Sequence, residues 1–292
     1  MEGKAALFKT FADVDAVPIV LDTQDADEIV ETVIRIAPAF GGINLEDIAA
    51  PKCFDIERRV IDALDIPVMH DDQHGTAIVV LAGLINAMKV VKKDMNKAGI
   101  VVAGVGAAGV ATMRLIKRYA PKVTIFAVDS QGLVGHSRPD LNDTKQKLLT
   151  EGIIDGSREG DLAHALIGCD VFLGVSQPGV LTAAMIQEMN EKPVVFAMAN
   201  PTPEIMPDVA KKAGAAVIAT GRSDFPNQIN NSLAFPGVFR GALDNNVRKI
   251  TDDMKIKAAK AIAGLVGKPH AQKIVPDMFD KKVARAVAKV IK

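Results

Sequence analysis

The chain contains 292 residues, with 49% apolar and 24% charged side chains, and 35 basic residues balance 35 acidic ones. This length allows one large domain or two ordinary domains with a buried core. The balanced charge gives no support for binding to nucleic acid or to an anionic membrane. Two cysteines do not make a disulfide framework, which is typical of a protein in the reducing cytoplasm. The longest apolar run, residues 98–113, contains four glycines and is shorter than a membrane span.

Short apolar runs bounded by turn residues alternate with stretches of helical spacing along most of the chain. The runs predicted as strands are residues 16–21, 40–45, 66–70, 99–104, 123–128, 170–175, 193–199 and 215–220. Helical spacing is clearest in residues 25–36, 51–65 and 75–91, and from about Phe235 onward the tail is predicted to be purely helical. Strands that alternate with helices predict βαβ units and parallel sheets, and therefore an α/β fold.

This order of elements predicts two domains. Residues 1–74 are expected to form a smaller α/β domain. Residues 75–292 are expected to form a doubly wound, parallel-sheet, Rossmann-like domain with C-terminal helices. The boundary is placed near Gly75 because a long helix begins there and crosses from one domain to the other.

Residues 104–109 form a glycine-rich turn of the kind that binds dinucleotides. Gly104, Gly106 and Gly109 have the spacing G-x-G-x-x-G, directly after a predicted strand and at the start of a predicted helix. Asp129 ends the next strand, 25 residues after Gly104, where a carboxylate that binds the ribose is expected. A glycine-rich turn that binds nothing is the alternative. The surrounding elements favour a dinucleotide site built from the turn residues Gly104, Val105, Gly106, Ala107, Ala108 and Gly109.

The choice between NAD and NADP is only a preference on these residues. Asp129 favours NAD, because a carboxylate would repel the 2′-phosphate of NADP. Ser130 follows directly, however, and His136 and Arg138 lie close downstream and could reach a phosphate. The sequence therefore predicts NAD or NADP, with NAD preferred.

Two pairs of acidic residues follow successive predicted strands. Glu46-Asp47 follows residues 40–45 and Asp71-Asp72 follows residues 66–70, with one predicted helix between them. In a βαβ unit both pairs project from the carboxyl ends of parallel strands, where open α/β sheets bind ligands. Adjacent carboxylates repel each other, so a hard cation such as Mg²⁺ or Mn²⁺ is expected to neutralise them. The alternative is a polar turn with Asp72 at the positive end of the following helix.

His70 and His74 flank the second acidic pair and raise the question of zinc. Neither a cysteine cluster nor an HExxH motif supports zinc, so these histidines are expected to pack or to hydrogen-bond behind the metal ligands. One of the four carboxylates is then free to act as a base or to orient one.

Several long motifs together resemble one known family. They are "MEGKAALFK", "FGGINLEDIAAPKCFDIE", "IPVMHDDQHGTA", "GVGAAG", "FAMANPTPEI" and "ATGRSDFPNQINNSLAFPGV". Over essentially the whole chain the sequence resembles the bacterial and archaeal small-subunit malic enzymes. The resemblance implies oxidative decarboxylation of L-malate to pyruvate and CO₂, with NAD or NADP and Mg²⁺ or Mn²⁺. It also implies a cytoplasmic protein and, for full-length family members, a homodimer. The oligomeric state of this chain stays open, because much of the family's dimer-forming N-terminal domain has no counterpart in the sequence.

The resemblance also implies roles for individual residues. Glu46, Asp47 and Asp72 match the metal ligands, and Asp71 matches the residue that orients and tunes the base. Lys4 matches the lysine that accepts a proton. Two asparagines match residues that hold the substrate or the nicotinamide end of the cofactor, namely Asn200 and Asn231.

One feature of the family has no counterpart in this sequence. Family members carry a further N-terminal segment with a tyrosine that protonates enolpyruvate, whereas the only tyrosine here is Tyr119, late in the helix after the glycine turn. We therefore expect a competent dinucleotide site and most metal ligands, but weak or absent malic enzyme activity. Oxaloacetate decarboxylation or hydride transfer should survive better than full turnover. The alternatives are a non-catalytic dinucleotide-binding fragment and a metal-independent hydroxy-acid dehydrogenase.

Overall fold

A computed structural model describes residues 1–292, which form twelve α-helices and eight β-strands. The helices are α1 (Glu2–Ala12), α2 (Ala26–Ile36), α3 (Lys52–Ala63), α4 (Asp71–Val91), α5 (Ala107–Tyr119), α6 (Asp143–Thr150), α7 (Leu162–Leu166), α8 (Ala183–Gln187), α9 (Pro207–Lys212), α10 (Phe235–Asp244), α11 (Asp252–Gly264) and α12 (Lys282–Ala288). The strands are β1 (Ile43–Leu45), β2 (Val68–His70), β3 (Gly99–Ala103), β4 (Thr124–Asp129), β5 (Gly132–Leu133), β6 (Val171–Gly174), β7 (Val194–Ala197) and β8 (Val217–Thr220). Single turns of 3₁₀ helix lie at Ala37–Ala39, Met95–Lys97 and Asn231–Leu233.

Strands β3 to β8 form a doubly wound sheet with the order β5-β4-β3-β6-β7-β8. All neighbouring pairs are parallel except β4 and β5, which are antiparallel. The strand order reverses between β3 and β6, and the carboxyl ends of the strands at such a reversal are where these sheets bind dinucleotides. The α/β class and the Rossmann-like arrangement expected from the sequence are confirmed.

A second sheet consists only of β1 and β2, which pair in parallel with Leu45 opposite His70. Helix α3 connects these two strands, and α2 and α3 pack against them. A small apolar cluster, which includes the fully buried Ile56 and Val60, fills the space between the helices and the sheet. The two acidic pairs therefore lie at the same edge of this sheet, as the βαβ order predicts.

Helix α4 is the central helix of the fold. By length and composition alone this helix could cross a membrane, but 78% of its most apolar 18-residue stretch is buried inside the protein. It packs against α5 and α11, and its apolar residues surround the helix instead of forming one stripe. That pattern is typical of a helix enclosed on all sides by protein.

Four expectations about the elements need correction. Residues 16–21 form no strand: Pro18 interrupts the run, Val17 is 66% exposed and Val20 is 80% exposed, so no partner strand covers it. Helix α4 begins at Asp71 and not at Gly75, because the acidic pair itself forms its first turn. Strand β5 was not expected, and residues 265–281 of the tail are not helical. The domain boundary near Gly75 stays a prediction.

Candidate active site

The acidic residues predicted as metal ligands lie together at the edge of the small sheet. Glu46 and Asp47 follow β1, while Asp72 is the second residue of α4, directly after β2. Carboxylate oxygens of these three residues all lie within 4.8 Å of one another. The backbone N–H of Asp47 also donates to Oδ2 of Asp72, at 2.9 Å. Asp47 adopts a left-handed backbone conformation, with φ of 57°.

This arrangement concentrates negative charge in a partly buried place. Burial raises the pKa of Glu46 and the nearby Asp72 raises it further, which outweighs the opposite effect of Lys4. A raised carboxylate pKa means that the ionised form lacks full compensation. Oxygen-only donors that converge in this way suit a hard divalent cation such as Mg²⁺ or Mn²⁺, so the residues present fit the metal that the resemblance implies.

Lys4 lies between two of the acids. Its Nζ contacts Asp71 Oδ2 and lies 2.7 Å from Glu46 Oε1. Burial lowers the pKa of Lys4, but the Asp71 and Glu46 carboxylates raise it by more, so it lies above the ordinary 10.5. Burial raises the pKa of Asp71 to about 7 although Lys4 acts to lower it. A proton-accepting lysine must be neutral, and these protein groups alone keep Lys4 charged.

Helix α1 carries Lys4 and is held in place by aromatic packing. Phe8 is 4% exposed, and its ring centroid lies 4.7 Å from that of Phe235 and 5.4 Å from that of Phe239 on α10. The Lys4 amine lies 4.5 Å from the centroid of the Phe235 ring. Contacts within the fold thus position Lys4, although it is only the fourth residue of the chain.

The absence of a side chain at Gly75 creates the space that Asp71 occupies. A Cβ at this position would lie 1.8 Å from Asp71 Oδ1 and 3.1 Å from the Cβ of Asn231. The Asp71 carboxylate therefore folds back over the first turn of α4, and Asn231 lies beside it. Asp71 Oδ1 is buried and has no hydrogen-bond partner, so it can accept a proton or a hydrogen bond from a ligand.

The glycine turn after β3 has the geometry that a dinucleotide site needs. Gly104 has φ of 110°, and a Cβ there would lie 2.5 Å from the carbonyl oxygen of Val175. A Cβ at Gly109 would lie 1.9 Å from the carbonyl oxygen of Gly104, so the start of α5 packs directly on the turn. A Cβ at Gly106 would meet no atom within 4 Å. The turn is closely packed on the protein side and open at Gly106, which fits a pyrophosphate at the N-terminus of α5.

Asp129, at the end of β4, is already paired with two cations. Its Oδ1 lies 2.7 Å from Nη1 of Arg138, and its Oδ2 lies 2.5 Å from Nζ of Lys145. Burial raises the pKa of Asp129, but Arg138 and Lys145 lower it by more. Because Arg138 and Lys145 offset the charge of the Asp129 carboxylate, its repulsion of a 2′-phosphate no longer excludes NADP. Ser130 and His136 are exposed near this cluster.

Lys145 was missed by sequence reasoning. It lies on α6, after a loop whose residues show no spacing that would indicate an ion pair with Asp129. Only the fold of the β4–α6 connection brings the two side chains together.

Asn200 lies in the loop that follows β7, three residues after the carboxyl end of that strand. Its Nδ2 would lie 2.7 Å from a Cβ at Gly221, which follows β8. An open cleft of about 590 Å³ lies here, lined by Asn200, Pro201, Gly221, Arg222, Ser223, Asp224 and Gln228.

Tyr119 is distant from the glycine turn, because it is the last residue of α5, where Lys260 lies 5.4 Å from its ring centroid.

Comparison with known proteins agrees with this combination of sites. Residues 73–292 match the family model described as malic enzyme, NAD binding domain, and residues 1–61 match malic enzyme, N-terminal domain. The chain belongs to the malic enzyme family. Malic enzymes of known structure share its fold: the NAD-dependent malic enzyme from Thermotoga maritima has a TM-score of 0.94 and 45% identity, over 99% of this chain and 76% of that one.

Curated malic enzymes are similar over the full length of the chain. A bifunctional malic/malolactic enzyme from Bacillus subtilis is 53% identical over 100% of this chain and 71% of its own length. An NAD-dependent malic enzyme from Geobacillus stearothermophilus is 50% identical over 100% of this chain and 61% of its own length. An NADP-dependent malic enzyme from Rhizobium meliloti is 49% identical over 95% of this chain and 36% of its own length. The chain therefore spans between about one third and three quarters of the malic enzymes that it matches.

Proposed function

We propose that this malic enzyme family member catalyses the oxidation and decarboxylation of L-malate to pyruvate and CO₂ in the cytoplasm, with reduction of NAD or NADP. The weak turnover expected from the sequence stays a prediction, which the rate of NAD(P)H formation tests. The observation that supports this most strongly is the cluster in which Lys4 contacts Asp71 and Glu46 beside the three converging carboxylates. A base, a buried partner carboxyl and a divalent-cation site are what an alcohol oxidation followed by decarboxylation requires.

In this proposal Glu46, Asp47 and Asp72 hold Mg²⁺ or Mn²⁺. A cation held there would supply positive charge that offsets the negative charge developing on the substrate oxygens during oxidation and decarboxylation. Asp47 is exposed, whereas Glu46 and Asp72 are partly buried, so solvent reaches the site at Asp47.

In the proposed reaction Lys4 accepts the substrate proton and Asp71 orients Lys4. Nζ of Lys4 takes the proton of the C2 hydroxyl as hydride leaves C2 for the nicotinamide ring. This requires a neutral amine, and positive charge added beside Lys4 lowers its pKa. Burial raises the pKa of Asp71 to about 7, so this carboxyl binds a proton more readily than an ordinary carboxyl does. Asp71 thus orients Lys4 Nζ and narrows the difference in proton affinity between the two groups.

The dinucleotide is proposed to lie across the glycine turn, with its adenosine ribose at Asp129 and Ser130 and its nicotinamide end near Asn200. Asn231, beside Asp71, is proposed to bind the substrate, because an amide donates hydrogen bonds to a carboxylate without adding charge. The pairing of Asp129 with Arg138 and Lys145 supports the use of NADP as well as NAD.

A division of the chain near Gly75 and a homodimer belong to the same proposal. The two family models, which match residues 1–61 and 73–292, support the division. Light scattering of the purified protein measures the oligomeric state.

The decisive assay is NAD(P)H formation from L-malate and Mn²⁺ by the purified chain, with and without EDTA. Reduction that requires the metal and yields pyruvate supports the proposal. Reduction that persists in EDTA would indicate a metal-independent hydroxy-acid dehydrogenase. NADH binding without any malate-dependent reduction would indicate a dinucleotide-binding protein that lacks catalysis.

A matched pair of variants tests the proton-accepting residue. Lys4→Arg keeps the positive charge but cannot release a proton near neutral pH, so reduction of NAD(P) should be lost while NADH still binds. Lys9→Arg is the control, because Lys9 lies on the same helix and pairs only with the exposed Asp13 and Asp15. Equal turnover by both variants would exclude Lys4 as the base.

Malolactic conversion is a second candidate, favoured by the 53% identity with the Bacillus subtilis malic/malolactic enzyme. The same assay distinguishes it: lactate without net NADH accumulation indicates malolactic conversion, whereas pyruvate with stoichiometric NADH indicates the malic enzyme reaction.

A further inference from the structure

A buried carboxylate behind the candidate metal site has no role in the reaction described above. Glu57 lies on α3, is 7% exposed, and pairs with neither lysine nor arginine. Its Oε1 accepts a hydrogen bond from the backbone N–H of His70 at 2.8 Å, and its Oε2 lies 3.0 Å from Nε2 of His74. Burying a carboxylate is costly unless its oxygens are hydrogen-bonded, and both oxygens of Glu57 have partners.

The two partners of Glu57 flank the acidic pair. His70 is the last residue of β2 and His74 lies in the first turn of α4, so Asp71 and Asp72 are enclosed between them. One side chain therefore fixes both ends of the strand-to-helix turn that carries these carboxylates. A shift of this turn would move Asp72 relative to Glu46 and Asp47, which follow the neighbouring strand β1.

The charge state of Glu57 is consistent with this arrangement. Burial raises its pKa, but His74 and the N–H of His70 lower it by more, so the carboxyl is ionised at neutral pH. An ionised acceptor requires hydrogen on Nε2 of His74, which defines the tautomer and orientation of that ring. The His70 ring is fully buried, and its Nδ1 lies 3.9 Å from Asp72 Oδ2. The back of the site is thus filled by Glu57 and two histidine rings.

We propose that Glu57 is a positioning residue for the divalent-cation site, acting through the backbone of His70 and the ring of His74 on the placement of Asp72. This inference rests on the proposed function, because it assumes that Asp72 binds the metal. Groups that orient metal ligands without touching the metal typically change its affinity by about 10- to 100-fold when they are replaced.

The test is Mn²⁺ binding, measured by the electron paramagnetic resonance signal of free Mn²⁺, in the full chain with Glu57→Gln. The amide oxygen can still accept from His70, but the amide NH₂ cannot accept from His74. We expect a dissociation constant for Mn²⁺ raised by about tenfold, with the affinity for NADH unchanged. The Michaelis constant for Mn²⁺ should rise more than kcat falls.

Asp62→Asn is the matched control, because Asp62 lies on the same helix with its side chain 60% exposed and makes only long ion pairs. It should leave Mn²⁺ binding unchanged. If Glu57→Gln fails to fold, His74→Gln removes the ring from the same interaction and should weaken Mn²⁺ binding in the same way. When both single variants fold, the double variant should bind Mn²⁺ no more weakly than the worse single variant, since both act through one contact.

The outcomes separate this inference from the proposed function. If the wild-type chain binds Mn²⁺ and a folded Glu57 or His74 variant binds it within twofold of the same affinity, the positioning role is wrong and the metal site stands. A loss of thermal stability without a change in Mn²⁺ affinity also overturns it, because a purely structural role predicts that result. If the wild-type chain binds no Mn²⁺, the metal site and the inference fail together.

Discussion

Alanine at Gly106 and alanine at Gly109 should both impair dinucleotide binding, but for different physical reasons. At Gly106 a Cβ meets no protein atom within 4 Å, so the unliganded fold should accept it. The cost to the free energy of unfolding should be about 1 kcal/mol or less, the usual effect of a poorer residue at a helix start. The added methyl group would occupy the space proposed for the pyrophosphate.

Gly109 presents the opposite situation. A Cβ there would lie 1.9 Å from the carbonyl oxygen of Gly104 and 3.0 Å from its carbonyl carbon, whereas ordinary contacts begin at 3.4 Å. These are backbone atoms, so α5 must move away from the turn by more than an ångström. Overpacking of this kind costs about 1–3 kcal/mol of stability. Dinucleotide binding should be lost because the N–H groups of the turn move.

Two measurements on each variant distinguish the effects: NADH affinity from fluorescence titration, and stability from urea unfolding. Gly106→Ala should keep near wild-type stability and bind NADH at least about tenfold more weakly, which is about 1.4 kcal/mol. Gly109→Ala should lose both stability and affinity. Wild-type affinity in Gly106→Ala would mean that the pyrophosphate does not cross this turn, and wild-type stability in Gly109→Ala would refute the close packing of α5 on β3.

Three further changes have defined outcomes. Lys145→Gln removes one cation from Asp129 and should lower kcat/KM with NADP about tenfold relative to NAD; an unchanged ratio would show that Lys145 does not face the 2′ position. Burial raises the pKa of Asp170, but Lys93, the backbone N–H of Gly99 and the Asn190 amide together lower it by more, below the ordinary 3.8. The stabilisation is therefore fully present above pH 3.8 and is lost as the pH falls through the folded-state pKa. Asp170→Asn should cost about 1–3 kcal/mol in urea unfolding at pH 7, and the cost should decrease as the pH falls below 3.8. Equal costs at both pH values would contradict it. Phe8→Ala should cost about 3 kcal/mol and reduce malate oxidation more than NADH binding; parallel losses would show that α1 does not specifically position the base.

Local chemistry made much of the nucleotide site predictable from sequence. A strand, the G-x-G-x-x-G turn, a helix and a strand ending in Asp129 occur within about thirty residues, the length of a typical βαβ unit. Gly104 and Gly109 are needed because a Cβ at either position would meet backbone atoms, whereas Gly106 leaves open the space proposed for the pyrophosphate. The pairing of Glu46-Asp47 with Asp71-Asp72 was predictable for a similar reason, because a strand–helix–strand unit places successive strand ends side by side.

The exposed run at residues 16–21 shows where pattern alone misleads. Its composition is that of a strand, but a strand needs a partner, and the fold provides none. The start of α4 was misplaced for a related reason. Two acidic residues stabilise the N-terminus of a helix. The sequence does not show, however, that Gly75 leaves room for Asp71 to fold back over the first turn.

Residue order alone determined the α/β class, the glycine turn and the grouping of acids, because these depend on periodicity and on neighbours along the chain. Tertiary structure decided which charges meet. Lys4 contacts a carboxylate 67 positions away, Asp129 pairs with Lys145 from α6, and Glu57 on α3 holds both ends of the turn around Asp71 and Asp72. The pKa values of these groups follow from their contacts with other charged side chains and from burial. Both depend on how helices pack on sheets, a three-dimensional property that residue spacing does not contain.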